Sequence, residues 1–196
     1  MDSLPDSVLA HEHLLVKANG APLLHDVLEL HGPIELPGRK GVHPVIYLHR
    51  IIVGQQLSSH VADTIWRRVT QTSVDLLSID NLPSLSSCGV SRNKIKAMVS
   101  LVENSTKLMD TIGEGDLHAL RHSLVSIWGI GEWTADIFLL FYMKSADVFP
   151  MNDTSLIKAW AALTADSTIA SCGVELFSPF KSYLALNLWR YADTKK

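Results

Sequence analysis

Gly129 and Gly131 stand one residue apart between two apolar helical segments, and Asp153 follows shortly afterwards, just past Pro150. Glycine at both positions lets the backbone take positive φ and lets another backbone approach closely. A turn of this kind that feeds a helix leaves backbone N–H groups pointing outward, and such a start attracts a phosphate. A carboxylate at the start of the next helix accepts backbone N–H bonds. The combination predicts a phosphate grip followed by one positioned carboxylate, which could stabilise positive charge or activate water.

The elements that must position these residues are predicted to be helices. Apolar residues recur with helical period along the chain, and no stretch alternates with period two beyond a few residues, so the sequence predicts an all-α protein. Asp116 is expected to cap a helix that runs to Ile127, and Asp153 to head a helix that runs through Leu163. The other predicted helices cover residues 5–18, 22–30, 42–55, 60–70, 91–102, 132–143 and 178–192, with a loop at 80–90.

The composition limits the size of the core and the classes of protein to which the chain can belong. With 196 residues, 47% of them hydrophobic, the chain can bury one good core or two small lobes. Its two cysteines, Cys88 and Cys172, are too few for a disulfide scaffold or a four-cysteine iron–sulfur cluster. The longest apolar run, residues 137–143, is far too short to span a bilayer, and no basic stretch followed by an apolar one opens the sequence. We therefore expect a soluble intracellular protein.

Four ordered blocks resemble the helix-hairpin-helix DNA glycosylases, most closely the AlkA-like 3-methyladenine DNA glycosylase II branch. The blocks are residues 52–58 (IVGQQLS), 129–135 (GIGEWTA), 147–153 (DVFPMND) and 182–190 (SYLALNLWR). The resemblance implies a two-lobed all-α fold with the active site in the interlobe cleft, in the compact form without an N-terminal sheet domain. One lobe is expected to comprise residues 1–41 and 164–196. The other is expected to comprise residues 42–163 and to contain the hairpin at 120–143.

The resemblance implies that Asp153 is the catalytic carboxylate. Cleavage of an N-glycosidic bond develops positive charge on the sugar, which a fixed carboxylate stabilises while it orients or deprotonates water. An ordinary helix N-cap is the alternative for this residue. Asn152 occupies a position where the family often has a second acid, which puts a second-acid role in doubt. Trp133 stands where strand-cleaving relatives carry a Schiff-base lysine, so a monofunctional enzyme is expected.

Aromatic residues are implied to shape the base pocket, with Trp133 and Trp189 as the main candidates and Ile137 and Tyr183 beside them. Alkylated purines such as 3-methyladenine and 7-methylguanine are cationic, and an indole face attracts such a ring by about 0.5–2 kcal/mol. The alternative for each tryptophan is a core position. Packing is the expected role of Trp66, Trp128 and Trp160 in the absence of a DNA contact.

DNA contacts are implied at two places, the loop after residue 54 and the hairpin. In the loop, Gln56 falls at the position that fills the gap left by an extracted nucleotide, with Leu57 and Ser58 beside it; a plain polar connector is the alternative. The hairpin residues expected at the DNA are Trp128, Gly129, Ile130, Gly131, Glu132 and Thr134.

No cofactor is expected to be required. The resemblance allows a monovalent cation, Na⁺ or K⁺, at the backbone carbonyls of Val125, Ile127 and Ile130. The net charge of −3 is unusual for a DNA-binding protein and predicts modest non-specific affinity with a shallow salt dependence. Basic residues at 92–96 could meet the DNA backbone, and a solvated helix face is the equal alternative.

The sequence thus predicts a monomeric, monofunctional DNA glycosylase that flips alkylated purines out of double-stranded DNA and hydrolyses their glycosidic bond in base excision repair. Two alternatives stay open. The same fold could prefer deaminated or etheno-adducted bases, or the chain could be a non-catalytic helix-hairpin-helix DNA-binding module, which would need neither Asp153 nor the aromatic pair.

Overall fold

A computed structural model describes residues 6–38 and 41–195. Within these residues the chain forms α-helices and short 3₁₀ helices and contains no strand, which confirms the predicted all-α class. The described helices include none that is long and apolar enough to cross a membrane. The chain divides into two units: the first contains residues 6–38 and 143–195, and the second contains residues 41–142.

The first unit is built around the C-terminal helix α11. Helix α9 packs against α11 more extensively than any other pair in this unit, and α1 and α2 pack against α11 as well. Leucines on the inward faces of these helices, together with Phe177, are fully buried and form the core. The helices are α1 (Asp6–Lys17), α2 (Pro22–His31), α9 (Thr154–Thr164), α10 (Ile169–Cys172) and α11 (Lys181–Asp193), with 3₁₀ helices at Ala18–Gly20 and Val174–Phe177.

The second unit is centred on α3, a nearly all-apolar helix that contacts α4, α5 and α8. Helices α7 and α8 pack against each other and form the predicted hairpin. The helices are α3 (Pro44–Gly54), α4 (Ser59–Gln71), α5 (Arg92–Glu103), α6 (Ser105–Glu114), α7 (Leu117–Ser126) and α8 (Glu132–Phe141), with a 3₁₀ segment at Ile79–Cys88.

The division differs from the expected lobes at two boundaries, and at the smaller of the two, residue 41 belongs to the second unit rather than to the first. Residues 143–163, which were expected with the hairpin lobe, belong to the first unit because α9 packs against α11 and α2. The backbone following the hairpin therefore passes into the other unit at residue 143. Asp153, which heads α9, is thus held by the first unit rather than by the unit that contains the hairpin.

Most predicted helices are present within one or two residues of their expected ends. The last helix begins at Lys181 rather than at residue 178, and three further segments differ. Residues 79–88 form 3₁₀ turns rather than a loop, because Leu82, Leu85 and Cys88 are buried against α5. Helix α6 was not predicted, although Leu108 anchors it as a buried residue. The short helix α10 was not predicted either.

Candidate active site

Asp153 stands at the N-cap of α9 with extended backbone dihedrals, φ −81° and ψ 113°. Its Oδ1 accepts hydrogen bonds from the backbone N–H groups of Ser155 at 2.9 Å and Leu156 at 3.0 Å. The residue is half-buried, so its carboxylate reaches the surface while one oxygen is fixed by the helix. The predicted cap is confirmed: Asp153 heads α9 and holds its first backbone N–H groups.

The segment that leads to Asp153 is fixed from α11 by Ser182, a fully buried residue. The Ser182 hydroxyl lies 2.6 Å from the carbonyl of Ser145 and 3.0 Å from that of Val148, and it accepts the N–H of Val148 at 2.9 Å. The Ser182 N–H donates to the carbonyl of Ala146 at 3.0 Å. Because the buried Ser182 bonds to several backbone groups, it fixes residues 145–148, which lead to the start of α9 in the first unit.

In the hairpin, Gly129 meets two requirements that only glycine satisfies. Its φ is +85°, in the left-handed region, and a Cβ added to it would lie 2.3 Å from the Cβ of Ala97. The turn is therefore seated directly on helix α5, at a residue whose own side chain is a single methyl group. Close approach at Gly129 was predicted, and the structure identifies α5 as the partner.

Gly131 does not match the prediction of positive φ and close packing. Its φ is −93° and its ψ 177°, which any residue can adopt, and a Cβ added there would have nothing within 4 Å. Neither backbone strain nor internal packing therefore requires glycine. The open space lies at the N-cap of α8, where the first backbone N–H groups of the helix have no intrahelical acceptor.

The two glutamines of the loop after α3 have different surroundings. Gln55 donates from Nε2 to the carbonyl of Gly129 at 3.1 Å and to Oγ1 of Thr134 at 2.9 Å, and thereby joins this loop to the hairpin. Gln56 is exposed and has a φ of +57°, which is uncommon for a residue with a side chain. Unusual backbone geometry at an exposed position is a feature of functional turns. The role of Gln55 was not predicted, because its partners lie more than 70 residues away.

Lys94 supports the same loop from α5. Its ammonium donates to the carbonyls of Val53 at 2.8 Å and Gln55 at 2.9 Å, at the C-terminal end of α3 where carbonyls lack intrahelical partners. Burial lowers the pKa of Lys94. Neither alternative considered for this lysine, a DNA contact or a solvated helix face, describes it. Lys94 and Ala97 lie one turn apart on α5, so one helix face supports both the loop and the hairpin.

A partly buried ion pair connects the two hairpin helices. Nε of Arg121 on α7 donates to Oδ1 of Asp136 on α8 at 2.8 Å, and Nη1 lies 3.9 Å from Oε1 of Glu132. Asp136 is only 5% exposed; burial raises its pKa, and the hydrogen bond from Arg121 opposes that rise. An acid in the apolar run of α8 is a sequence signal for such a pair, since a buried charge requires a partner.

The candidate base-pocket residues are distributed over two helices. Trp133 and Ile137 lie one turn apart on α8; the indole is half-buried and Ile137 is buried. On α11, Trp189 is half-buried, whereas Tyr183 is buried and packs edge-on against Phe180 with ring centroids 5.9 Å apart. Tyr183 is therefore a core residue of the first unit.

The tryptophans expected to pack do not all do so. Trp160 packs edge-on against Phe177 at 5.8 Å, which confirms the expectation, and Trp66 is half-buried. Trp128 is 46% exposed at the hairpin, so packing is the wrong interpretation for it. The Nζ of Lys96 lies 4.3 Å from the centroid of its ring.

The other candidate DNA-binding residues vary in exposure. Leu57, Ser58 and Glu132 are exposed, whereas the side chains of Ile130 and Thr134 are buried. The Thr134 hydroxyl is 2.9 Å from Gln55, so it supports the turn from inside and its side chain is not a surface contact. Ser58 stands at the N-cap of α4, where its side chain makes no capping hydrogen bond.

The backbone carbonyls considered for a cation differ in their use. The Ile127 carbonyl accepts the N–H of Ile130 at 3.1 Å, while the bonds of the described turn do not use the carbonyls of Val125 and Ile130. A carbonyl oxygen has two lone pairs, so all three retain acceptor capacity. The donor set is all oxygen, as a hard monovalent cation requires, and these carbonyls therefore fit such an ion.

No protein-family model matches the sequence. Among curated proteins, the chain is similar to DNA-3-methyladenine glycosylase 1 of Schizosaccharomyces pombe, with 27% identity over 164 residues that cover 75% of this chain and 72% of the relative. It is also similar to the DNA-3-methyladenine glycosylase of Saccharomyces cerevisiae, with 22% identity over 198 residues that cover 76% of this chain and 67% of the relative.

Solved structures give the same result at the level of the fold. The crystal structure of a DNA-3-methyladenine glycosidase from Bacillus halodurans matches with a TM-score of 0.73 and 25% identity, covering 94% of this chain and 90% of that one. The Schizosaccharomyces pombe 3-methyladenine DNA glycosylase in complex with abasic DNA matches with a TM-score of 0.78 and 22% identity, covering 94% and 97%. The resemblance inferred from the sequence is confirmed: this chain has the fold of the helix-hairpin-helix 3-methyladenine DNA glycosylases.

Proposed function

We propose that this protein is a DNA-3-methyladenine glycosylase, a hydrolase that removes alkylated purines from double-stranded DNA in base excision repair. The observation that carries this proposal is Asp153, a half-buried carboxylate with one oxygen held at 2.9 and 3.0 Å by the start of α9. It occurs in a chain whose curated relatives, at 27% and 22% identity, are DNA-3-methyladenine glycosylases. Its substrate is DNA, so the enzyme works inside the cell.

The chemistry follows from the carboxylate. As the bond between the deoxyribose and a cationic purine breaks, positive charge develops on the sugar. The Asp153 carboxylate stabilises that charge and orients or deprotonates the incoming water. Because Oδ1 is fixed by two backbone donors, little reorganisation is needed when the charge appears. An alkylated purine is already a good leaving group, so the mechanism needs no general acid.

The enzyme is monofunctional. Trp133 stands two residues after Gly131, where strand-cleaving relatives carry a lysine, and an indole cannot form a Schiff base with the sugar. Its half-buried indole ring instead suits stacking with a cationic base. The expected product is an abasic site in an intact strand.

The hairpin binds the DNA backbone through uncharged groups. The open space over Gly131 allows a phosphate to approach the first N–H groups of α8. A monovalent cation at the carbonyls of Val125, Ile127 and Ile130 supplies positive charge when bound and thereby strengthens the grip on a phosphate. Exposed Gln56 and Leu57 fill the space that the extruded nucleotide leaves.

A same-fold enzyme for deaminated or etheno-adducted bases is the second candidate, since an indole ring such as that of Trp133 stacks on any base. A non-catalytic binding module is less consistent with the site. Such a module has no need for a carboxylate fixed beside a segment that is anchored through Ser182.

The test uses duplexes that differ in one base: 3-methyladenine, 7-methylguanine, ethenoadenine, hypoxanthine or an undamaged purine. Release of the two methylpurines, with strand breaks appearing only after alkali treatment, is the expected result. Strand breaks without alkali would overturn the monofunctional assignment. Preferential release of ethenoadenine or hypoxanthine would establish the second candidate, and no release from any duplex would overturn both.

A further inference from the structure

We propose that Lys96, held against the exposed face of Trp128, binds a DNA phosphate beside the hairpin turn. This inference rests on the proposed function and extends it to a side-chain cation. Lys96 is exposed on α5, and its ammonium lies 4.3 Å from the centroid of the Trp128 ring. Trp128 directly precedes Gly129, which is seated on Ala97, the residue after Lys96. The ammonium is thus fixed to the same surface as the turn.

The cations around the hairpin are engaged in different ways. Lys94 donates to two backbone carbonyls, and Arg121 contacts the carboxylates of Asp136 and Glu132. Within the described part of the chain, no ion pair involves Lys96. A cation over an aromatic face keeps its N–H donors for other acceptors. Lys96 is therefore both oriented and able to bind an anion.

The basic residues at the start of α5 do not stabilise the helix. Arg92, Lys94 and Lys96 lie within the first five residues of α5, close to the end where the helix dipole disfavours positive charge. Lys94 has a structural role at α3, whereas Lys96 contacts only the exposed indole among the interactions described above. A phosphate ligand accounts for a cation at this position, in a chain whose net charge is −3.

Salt dependence distinguishes this role from a structural one. Each phosphate contact contributes about 0.9 to the slope of log K against log salt concentration on duplex DNA. We expect Lys96→Met to reduce the magnitude of this slope by about 0.9. The loss of affinity for an undamaged duplex, relative to the wild type, should therefore be about eightfold larger at 0.1 M salt than at 1 M salt. Lys96→Arg should retain the slope, since arginine keeps the charge and stacks on indole.

The matched control is Lys107→Met, which removes the same charge from an exposed position on α6 of the same unit. Trp128→Leu and the double variant Lys96→Met/Trp128→Leu complete a cycle. If the indole holds the ammonium in place, Trp128→Leu also lowers the slope, and the loss of binding free energy in the double variant is smaller than the sum of the losses in the two single variants. Thermal unfolding of each variant is measured in parallel.

Two results separate this inference from the proposed function. If the wild-type protein releases methylpurines but Lys96→Met lowers the slope no more than Lys107→Met, the phosphate contact is wrong and the glycosylase assignment stands. If Lys96→Met lowers stability and leaves the slope unchanged, the pair is structural and the inference is overturned. A wild-type protein that releases no base overturns the proposed function, whatever its salt slope.

Discussion

The starts of helices α7 and α9 have nearly the same local structure. Asp116 caps α7 with φ −79° and ψ 103°, and its Oδ1 accepts N–H groups at 2.9 and 3.0 Å, the same distances as at Asp153. Their surroundings differ. Asp116 is exposed, whereas Asp153 is half-buried and follows a segment anchored by buried Ser182 and Phe149. The cap geometry is therefore common to both, and only the surroundings distinguish a candidate catalytic group from a structural one.

The same contrast recurs in other residue pairs. Gly129 and Gly131 share a turn, and Gln55 and Gln56 share a loop, yet within each pair one residue is fixed by internal contacts and the other faces solvent. Such pairs provide matched controls, because the two residues have the same chemistry and differ in setting. Substituting both members of a pair therefore separates the effect of the setting from that of the residue type.

The largest expected effect is a difference in the rate of base release between substitutions at the two aspartates. Asparagine caps helices as well as aspartate does, so Asp153→Asn and Asp116→Asn both retain the cap and remove a negative charge. We expect Asp153→Asn to lower single-turnover release of 7-methylguanine by about 10²–10³-fold, the size expected for loss of an electrostatic stabiliser. Asp116→Asn should release the base at the wild-type rate.

Two results would break the comparison between the caps. Wild-type release by Asp153→Asn would remove the assigned role. A similar loss in both variants would mean that any change at a helix start disturbs the enzyme. Circular dichroism and thermal unfolding verify that both variants fold, so that a loss of rate reports on the charge.

The two hairpin glycines should differ in stability. Alanine at 129 must adopt a φ of +85° and places its Cβ 2.3 Å from that of Ala97, so Gly129→Ala should lower the free energy of unfolding by about 2–4 kcal/mol. Gly131→Ala has a compatible φ of −93° and open space, so it should leave stability unchanged or raise it by up to about 1 kcal/mol.

Urea unfolding measures both variants, and DNA binding separates their roles. If a phosphate approaches the backbone over Gly131, Gly131→Ala should bind an undamaged duplex less tightly although it is fully stable. Tight binding by that variant would show that the open space is not used. A Gly129→Ala protein as stable as the wild type would mean that the turn is not seated on α5 as described.

These pairs also show what the sequence can and cannot predict. The caps Asp116 and Asp153 were predicted because a capping side chain bonds to backbone only two or three residues away. The helical class followed from periodicity in the same way. Contacts across long sequence separations leave no local pattern, which is why the bond from Gln55 to Gly129 and the Lys94 cap of α3 were not predicted.

Other errors have similar causes. A glycine in a turn indicates positive φ, close packing or open space, and the sequence does not distinguish these; positive φ and close approach were assigned to Gly131, and only open space is present. Trp128 was expected both among the packing residues and among the hairpin residues at the DNA, and only its exposure in the structure separates the two interpretations. The resemblance identified the fold, but the division of the chain at residue 143 depends on the packing of α9 against α11.

Histidines provide a test at acidic pH. His49 on α3 is fully buried, and burial lowers its pKa to about 4; the backbone of Met98 lies near but neither ring nitrogen makes a well-formed hydrogen bond among the described residues. The unfolded chain binds a proton near pH 6.5 and the folded chain does not, so stability falls as pH decreases from 6.5 to 4. The expected loss is about 3 kcal/mol.

The variant His49→Leu should remove this part of the pH dependence, and His60→Leu, at an exposed position on α4, should not. The measurement is the free energy of unfolding at several pH values between 7 and 4. If the free energy of unfolding falls equally steeply with decreasing pH in the wild type and in His49→Leu, His49 is not the cause of the loss of stability in acid.

The two glutamines should change stability in opposite directions, with the smallest effects. Gln55→Met removes the donor to Gly129 and Thr134 and leaves two acceptors without it, so stability should fall by about 1–2 kcal/mol. Gln56→Gly relieves a φ of +57° and should raise stability by about 1 kcal/mol. Base release should nevertheless fall in both variants. Gln55→Met loosens the loop against the hairpin, and Gln56→Gly removes the side chain that fills the space left by the extruded nucleotide.

In Gln55→Met, stability and rate both fall, whereas in Gln56→Gly stability rises while the rate falls. A loss of rate in Gln56→Gly therefore cannot be attributed to unfolding. An unchanged rate in that variant would reassign the residue to a plain connector.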